Sequence, residues 1–133
     1  MSTTLSEQRI VEALLAALSP LADTRLGYGA SGLEELSLPV ILVQLDSMNE
    51  VNRLGEKARF ELQFTISAVV RTSERATAEL IAVTRDIRTV LQPAQRICPE
   101  ARKQALSDTR FDIAPAYGQL SFADSTLTIE TIL

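Results

Sequence analysis

The segment that most limits how this chain can fold runs from residue 58 to residue 71, where apolar and polar side chains alternate. A period of two residues is typical of an antiparallel β-strand with one buried face and one solvated face. The apolar face carries Phe60, Leu62, Phe64, Ile66, Ala68 and Val70, and the polar face carries Arg59, Glu61, Gln63, Thr65 and Ser67. At about 3.4 Å per residue, the strand would be more than about 40 Å long. Such a length favours a strand of which one part extends beyond its own domain.

Two other segments repeat their apolar residues at helical spacing. The first covers residues 5–18, starts at the capping-box spacing of Thr4 and Glu7, and is ended by Pro20. The second covers residues 73–91, with Ser73 as its cap. The apolar seam of this second helix consists of Ala76, Leu80, Val83, Ile87 and Val90.

Three further strands are predicted, at residues 39–45, 109–114 and 120–133, the last two forming a hairpin around Tyr117 and Gly118. Residues 23–38 and 92–103 are predicted to be irregular, and residues 46–57 to be a polar turn or an extended hairpin tip. The expected fold is therefore α+β, with a mostly antiparallel sheet of about four strands packed on one face by two helices. The predicted order is α-β-β-α-β-β, in a single domain over residues 1–133.

Composition restricts the functional class. The 133 residues carry a net charge of -4, which argues against a protein that grips phosphates through clustered Lys and Arg. No stretch approaches the roughly 20 apolar residues that cross a bilayer, so we expect no membrane partner. The single cysteine, Cys98, favours a reducing intracellular setting. The absence of His removes the commonest general base and metal ligand.

The chain has few candidates for chemistry. Residues 27–32 match G-x-G-x-x-G, but that fingerprint needs a preceding strand and a following helix, whereas here a helix precedes. Asp108 with Asp112, and Glu34 with Glu35, are interpreted as solvated charge, with weak cation binding as the alternative. Cys98 has no His to activate it, so a packed or idle thiol is expected. We therefore expect no catalytic, cofactor-binding or metal-binding residues, and no enzyme.

The segment between the two central strands mixes both charge signs, which suits the fixing of register between neighbouring subunits. Its candidates for a subunit interface are Asn49, Glu50, Asn52, Arg53, Glu56, Lys57 and Arg59. A solvated hairpin tip is the alternative interpretation.

The complete order of elements resembles that of the bacteriophage tail terminator proteins, also called minor tail or tail completion proteins. The resemblance covers an N-terminal helix, the short strand 38–45, a polar loop, the long strand 60–71, the helix 73–91 and a hairpin ending in S-T-L-T-I-E-T-I at residues 125–132. It is a likeness of shape over nearly the whole chain, without a signature motif.

The resemblance implies a homohexameric ring that caps the tail tube, stops its polymerisation and provides the docking surface for the head–tail connector. The implied partners are other copies of this chain, the tail tube protein and the connector protein, with DNA only passing through the lumen and no cofactor. The implied location is the virion tail, assembled in the host cytoplasm. Glu61, Gln63, Thr65 and Ser67 are then candidates for the lumen wall or the ring seam.

Two alternatives remain open at the level of sequence. One is another phage structural subunit, such as a head–tail joining protein or a tube protein. The other is a small-ligand binding protein or enzyme, for which the absence of His and Trp leaves little to build an aromatic-lined pocket.

Overall fold

The computed structural model describes residues 5–27 and 38–133. Its elements, in chain order, are α1 (Ser6–Leu18), β1 (Asp23–Leu26), β2 (Val40–Leu54), β3 (Lys57–Arg71), α2 (Ala76–Val90), β4 (Lys103–Leu106), β5 (Arg110–Asp112) and β6 (Leu120–Ile132). The strands form one sheet in the order β1-β2-β3-β6-β4, and β5 also pairs with β6. The α+β class with two helices is confirmed. The predictions of about four strands and of the order α-β-β-α-β-β are wrong, because the described residues form six strands in the order α-β-β-β-α-β-β-β.

The predicted long strand is confirmed as β3, at the centre of the sheet. It pairs antiparallel with β2 on one side and with β6 on the other. The pairing with β6 extends from Arg59, opposite Ile132, to Arg71, opposite Leu120. No part of β3 projects alone, so the expectation that its length carries it beyond the domain is wrong. An equally extended β6 accounts for that length.

One face of the sheet and both helices enclose the main core. The even-numbered side chains of β3 from Leu62 to Val70 contact this core, as the alternation predicts. Ile10, Leu14 and Leu18 of α1 are completely buried there. The packing of both helices against one face is therefore confirmed, and we call this face the helix side.

The irregular connection predicted at residues 23–38 contains a strand, β1, which pairs parallel with the first four residues of β2. The sheet is consequently mixed. β1 has the sequence D-T-R-L, which contains one apolar residue, and its second half is exposed. No periodicity marks such a segment, because its partner in β2 supplies the hydrogen bonds and most of the apolar surface.

The helix termini also differ from the predictions. Leu5 is the N-cap of α1, and its backbone N–H donates to Gln8 Oε1 at 3.2 Å. The predicted cap, Thr4, lies outside the described residues. α2 begins at Ala76 instead of residue 73, because the Ser73 hydroxyl accepts from the N–H of Arg75 in a turn that precedes the helix.

The segment predicted to be irregular at residues 92–103 leads into a further strand, β4. Gln104 of β4 is almost completely buried, and its side-chain amide organises the segment before it. Its Oε1 accepts from the N–H of Ile97 at 3.1 Å. Its Nε2 donates to the carbonyls of Gln92 at 2.9 Å and Gln95 at 2.8 Å. One polar side chain thus replaces the hydrogen bonds that a regular element would supply.

Of the two interpretations of residues 46–57, the extended hairpin tip is confirmed and the polar turn is wrong, because most of the segment is strand. The turn between β2 and β3 consists of Gly55 and Glu56, and Gly55 has φ +69°, a conformation that favours glycine. Two register shifts, between Leu45 and Ser47 and between Glu50 and Asn52, leave one unpaired residue each in β2. These bulges interrupt the alternation, which is why the sequence pattern did not show a strand.

Candidate interaction surfaces

The sheet face opposite the helices is mainly polar, and we call it the polar face. The predicted lumen or seam residues Glu61, Gln63, Thr65 and Ser67 all lie on it, in β3. Three of them contact side chains of neighbouring strands. These contacts run from Ser67 Oγ to Asp124 Oδ1 at 2.6 Å, from Ser47 Oγ to Gln63 Oε1 at 3.4 Å, and from the Thr65 hydroxyl to Asp46. Hydrogen bonds thus join polar side chains of neighbouring strands and hold them in place.

Charged side chains of both signs lie on the polar face. Glu61 of β3 and both Asp124 and Glu130 of β6 present carboxylates there. The register places Arg110 of β5 opposite Asp124 and Lys103 of β4 opposite Glu130. Arg59 Nε lies 3.1 Å from Glu130 Oε1, an ion pair by distance whose Nε–H makes no hydrogen bond within the described part of the chain. Basic side chains therefore neighbour two of the three carboxylates.

One end of the polar face is apolar. Val40, Leu42 and Val69 are buried there in a second, smaller cluster. Leu38, Leu120 and Phe122 pack against this cluster. This end of the polar face is therefore hydrophobic, which the sequence analysis did not predict.

The predicted interface residues are divided between the two faces of the β2–β3 hairpin. The register places Asn49, Asn52, Lys57 and Arg59 on the polar face, Glu50 and Arg53 on the helix side, and Glu56 in the turn. The carboxylate of Glu50 and the Nε of Arg53 form an ion pair at 3.1 Å, exposed to solvent. The seven residues therefore belong to one hairpin but do not form one patch.

The first bulge creates an apolar edge that sequence reasoning missed. Leu45 lies opposite Phe64 and Met48 lies opposite Leu62, so both point to the helix side. Three residues apart in a regular strand, they would point to opposite faces. Leu45 is 42% exposed and Met48 is 47% exposed. Among the described residues, no strand pairs with the outer edge of β2 beyond Val43, and we call Leu45 and Met48 with this edge the β2 edge patch.

A groove of about 380 Å³ lies between α2 and β5, at the edge of the sheet opposite β1. We call it the α2–β5 groove; it is lined by Ile81, Thr84, Arg85, Arg88, Asp108, Thr109 and Phe111. Ile81 and Phe111 are each 46% exposed. Ile81 lies outside the apolar seam predicted for this helix. An apolar residue outside the seam is the sequence feature that could have indicated the groove.

Two polar groups of the α2–β5 groove differ in how they are satisfied. Arg88 Nη2 donates to Thr109 Oγ1 at 3.0 Å and to the carbonyl of Ser107, which joins α2 to the break between β4 and β5. Thr84 Oγ1 is buried and has no hydrogen-bond partner within the described part of the chain. A buried hydroxyl without a partner is uncommon in native structures.

The carboxylates considered for chemistry occupy an open cleft. Asp108 and Asp112 both line a cleft of about 520 Å³, together with Asp124 and Arg110. Within residues 5–27 and 38–133, no three His, Cys, Asp or Glu residues are arranged to hold a metal ion. Glu34 and Glu35 lie outside the described residues.

Two other motifs can be located. Cys98 is half-buried and packs against the main core.

Gly27 directly follows β1, so a strand does precede the glycine-rich segment, contrary to the prediction. The next described element after it is β2, another strand, and residues 28–37 lie outside the described residues. In the described ranges, no helix is long and apolar enough to span a membrane.

Comparison with known proteins gives a likeness of fold. No protein-family model and no curated protein matches the sequence. Among solved structures, the fold is similar to that of a chain in the virion of a native gene transfer agent particle, with a TM-score of 0.58 and 14% sequence identity. The match covers 93% of this chain and 92% of that chain. At this identity the comparison shows a shared fold over nearly the whole length of both chains.

Proposed function

We propose that this chain is a structural subunit of a phage-type particle and acts as its tail terminator. The observation that carries the proposal is the likeness of fold, end to end, to a chain of a gene transfer agent virion. The order of elements that led to the resemblance with tail terminators supports the more specific role. In this role, copies of the chain form a homohexameric ring that caps the tail tube and stops its growth.

The proposed partners are other copies of this chain, the tail tube protein and the head–tail connector protein. The work of such a subunit is recognition and closure, and it requires no catalytic step and no cofactor. Its proposed location is the virion tail, after assembly in the host cytoplasm.

The polar face suits the wall of the lumen. Carboxylates balance the basic side chains there, with Arg110 opposite Asp124 and Lys103 opposite Glu130, so the wall would present no cluster of Lys and Arg to retain the DNA phosphates. The hydrogen bonds that tie Ser67 to Asp124 and Thr65 to Asp46 hold the wall in one conformation. The alternative of a small-ligand site receives no comparable support.

A tube-growth assay tests the role. Purified tube protein would be allowed to polymerise with and without this protein, and products would be followed by sedimentation and negative-stain electron microscopy. A terminator forms closed rings alone and shortens the tubes in proportion to its concentration. A tube subunit would polymerise by itself without limit, and a head–tail joining protein would leave tube length unchanged.

The lumen assignment has its own test. E61K and D124K together would convert the centre of the polar face to a basic surface. The matched control is E79K with D86K, which makes the same change of charge on the exposed side of α2. We expect the polar-face variant, but not the control, to retain double-stranded DNA in a low-salt pull-down on assembled rings. Equal retention by both variants would remove the polar face from the lumen.

A further inference from the structure

Two surfaces with exposed apolar side chains lie at opposite edges of the sheet. The β2 edge patch lies next to β1 at one edge, and the α2–β5 groove lies beyond β6 at the other. Phe111 in the groove is 46% exposed, and Ile113, two residues further along the chain, is 40% exposed. Contiguous exposed apolar surface on a folded protein commonly marks an interaction site.

The two surfaces face the same side of the sheet. Leu45 and Met48 point to the helix side from β2, and Phe111, opposite the buried Ala123, points to the helix side from β5. If β2 of one copy lies beside β5 of the next copy, these side chains become neighbours on one continuous surface. Because the two surfaces differ, such a contact is head-to-tail and can close into a ring.

The open strand edges favour the same pairing. Among the described residues, β5 pairs only with β6, and β2 beyond Val43 pairs only with β3. Both outer edges therefore present unpaired backbone N–H and C=O groups, which can bond to each other across a contact. The charges beside the β2 edge patch do not oppose the pairing, because Glu50 and Arg53 form an ion pair there.

We propose that the occupant of the α2–β5 groove is the β2 edge patch of a second copy of this chain. In this seam, Met48 and Leu45 of one copy contact Ile81 and Phe111 of the next. The proposal rests on the ring-forming function proposed above and specifies which surfaces of the subunit meet.

The test uses one substitution on each surface and a mixture of the two variants. M48D disables the β2 edge patch, F111D disables the groove, and Y117D, at an exposed aromatic residue outside both surfaces, is the control. Each variant and the wild type would be examined by circular dichroism and by sedimentation velocity over a range of concentrations. Since Met48 and Phe111 are about half exposed, all three variants should fold.

A head-to-tail seam predicts a specific pattern. M48D and F111D alone should each need at least about 30-fold more protein to assemble, since buried interface anchors contribute about 2 kcal/mol or more. An equimolar mixture should form a heterodimer that grows no further, because each variant retains one intact surface. Y117D should assemble like the wild type.

Other outcomes overturn the seam. Assembly of F111D at wild-type concentrations, or a mixture that remains monomeric although both variants are folded, removes these surfaces while leaving the ring itself intact. A wild-type protein that stays monomeric at all concentrations overturns the seam and the ring together. If a variant fails to fold, disulfide formation between M48C and F111C proteins in a C98S background provides the same test, and absence of the cross-linked dimer contradicts the proposal.

Discussion

The side-chain amide of Gln104 should control the order of the segment that connects α2 to β4. Replacing it by Met keeps the side chain close to its original volume, so the main loss is three hydrogen bonds, to Ile97, Gln92 and Gln95. At a net value of about 1 kcal/mol per hydrogen bond, Q104M should lower the free energy of unfolding by about 3 kcal/mol. Q104E should be more damaging, because a buried carboxylate would then face two carbonyl oxygens.

The lone thiol provides a local assay for this effect. Cys98 lies in the same segment and is half-buried, so its reaction with a thiol reagent reports opening of the segment. If about 3 kcal/mol holds the segment closed, labelling should accelerate by about 100-fold in Q104M. Urea denaturation would give the global change in stability. Q95A is the matched control, because only the main-chain carbonyl of Gln95 is used, and it should lie within about 0.5 kcal/mol of wild type.

The interpretation of Gln104 would be refuted by a clear result. If Q104M loses less than about 0.5 kcal/mol and Cys98 reacts at the wild-type rate, the three hydrogen bonds do not determine the order of the segment. If stability falls while labelling does not change, Gln104 stabilises the sheet and not the connection.

Three other perturbations test the fold. L127A removes a completely buried side chain of β6 and should cost about 2–5 kcal/mol in urea denaturation; a loss below about 1 kcal/mol would contradict the position of the core. G55A places a Cβ at φ +69° with nothing nearby to obstruct it, so its cost should be conformational, about 1 kcal/mol, with G55N milder; equal stability of all three proteins would refute the turn geometry. R88A removes the donors to Ser107 and Thr109, and should cost about 2 kcal/mol and speed amide exchange in β5 more than in β3; uniform exchange would argue against this contact as the link between α2 and β5.

Elements whose side chains alternate or repeat regularly were predictable, because burial on one face imposes the period. The even-numbered residues of β3 and the apolar stripe of α1 are of this kind. β1 and β4 were missed because each is four residues long and is stabilised by its neighbour in the sheet. In β4, Gln104 is buried because its side chain is hydrogen-bonded. A search for apolar periodicity does not detect a buried polar residue.

The candidate surfaces were predictable only in part. The polar side chains of β3 were assigned to the correct face, since the alternation determines it. The β2 edge patch was not predictable, because the unpaired Asp46 reverses the phase of the residues that follow it. Ile81 gave a weak signal as an apolar residue outside the helix seam, but its proximity to Phe111 depends on tertiary structure.

The two bulges in β2 uncouple two properties that are linked in a regular strand: the position of a residue along the strand and the face on which its side chain lies. Without Asp46 and Val51, thirteen residues of β2 lie opposite thirteen residues of β3 in unbroken alternation. Each side chain's face therefore follows from its partner in β3, not from its distance along β2. Since bulges bend and twist a strand, insertions and deletions at these two positions can change the curvature of the hairpin while substitutions elsewhere change its chemistry. The radius of any assembly built on this edge can thus vary independently of the residues that recognise the neighbour.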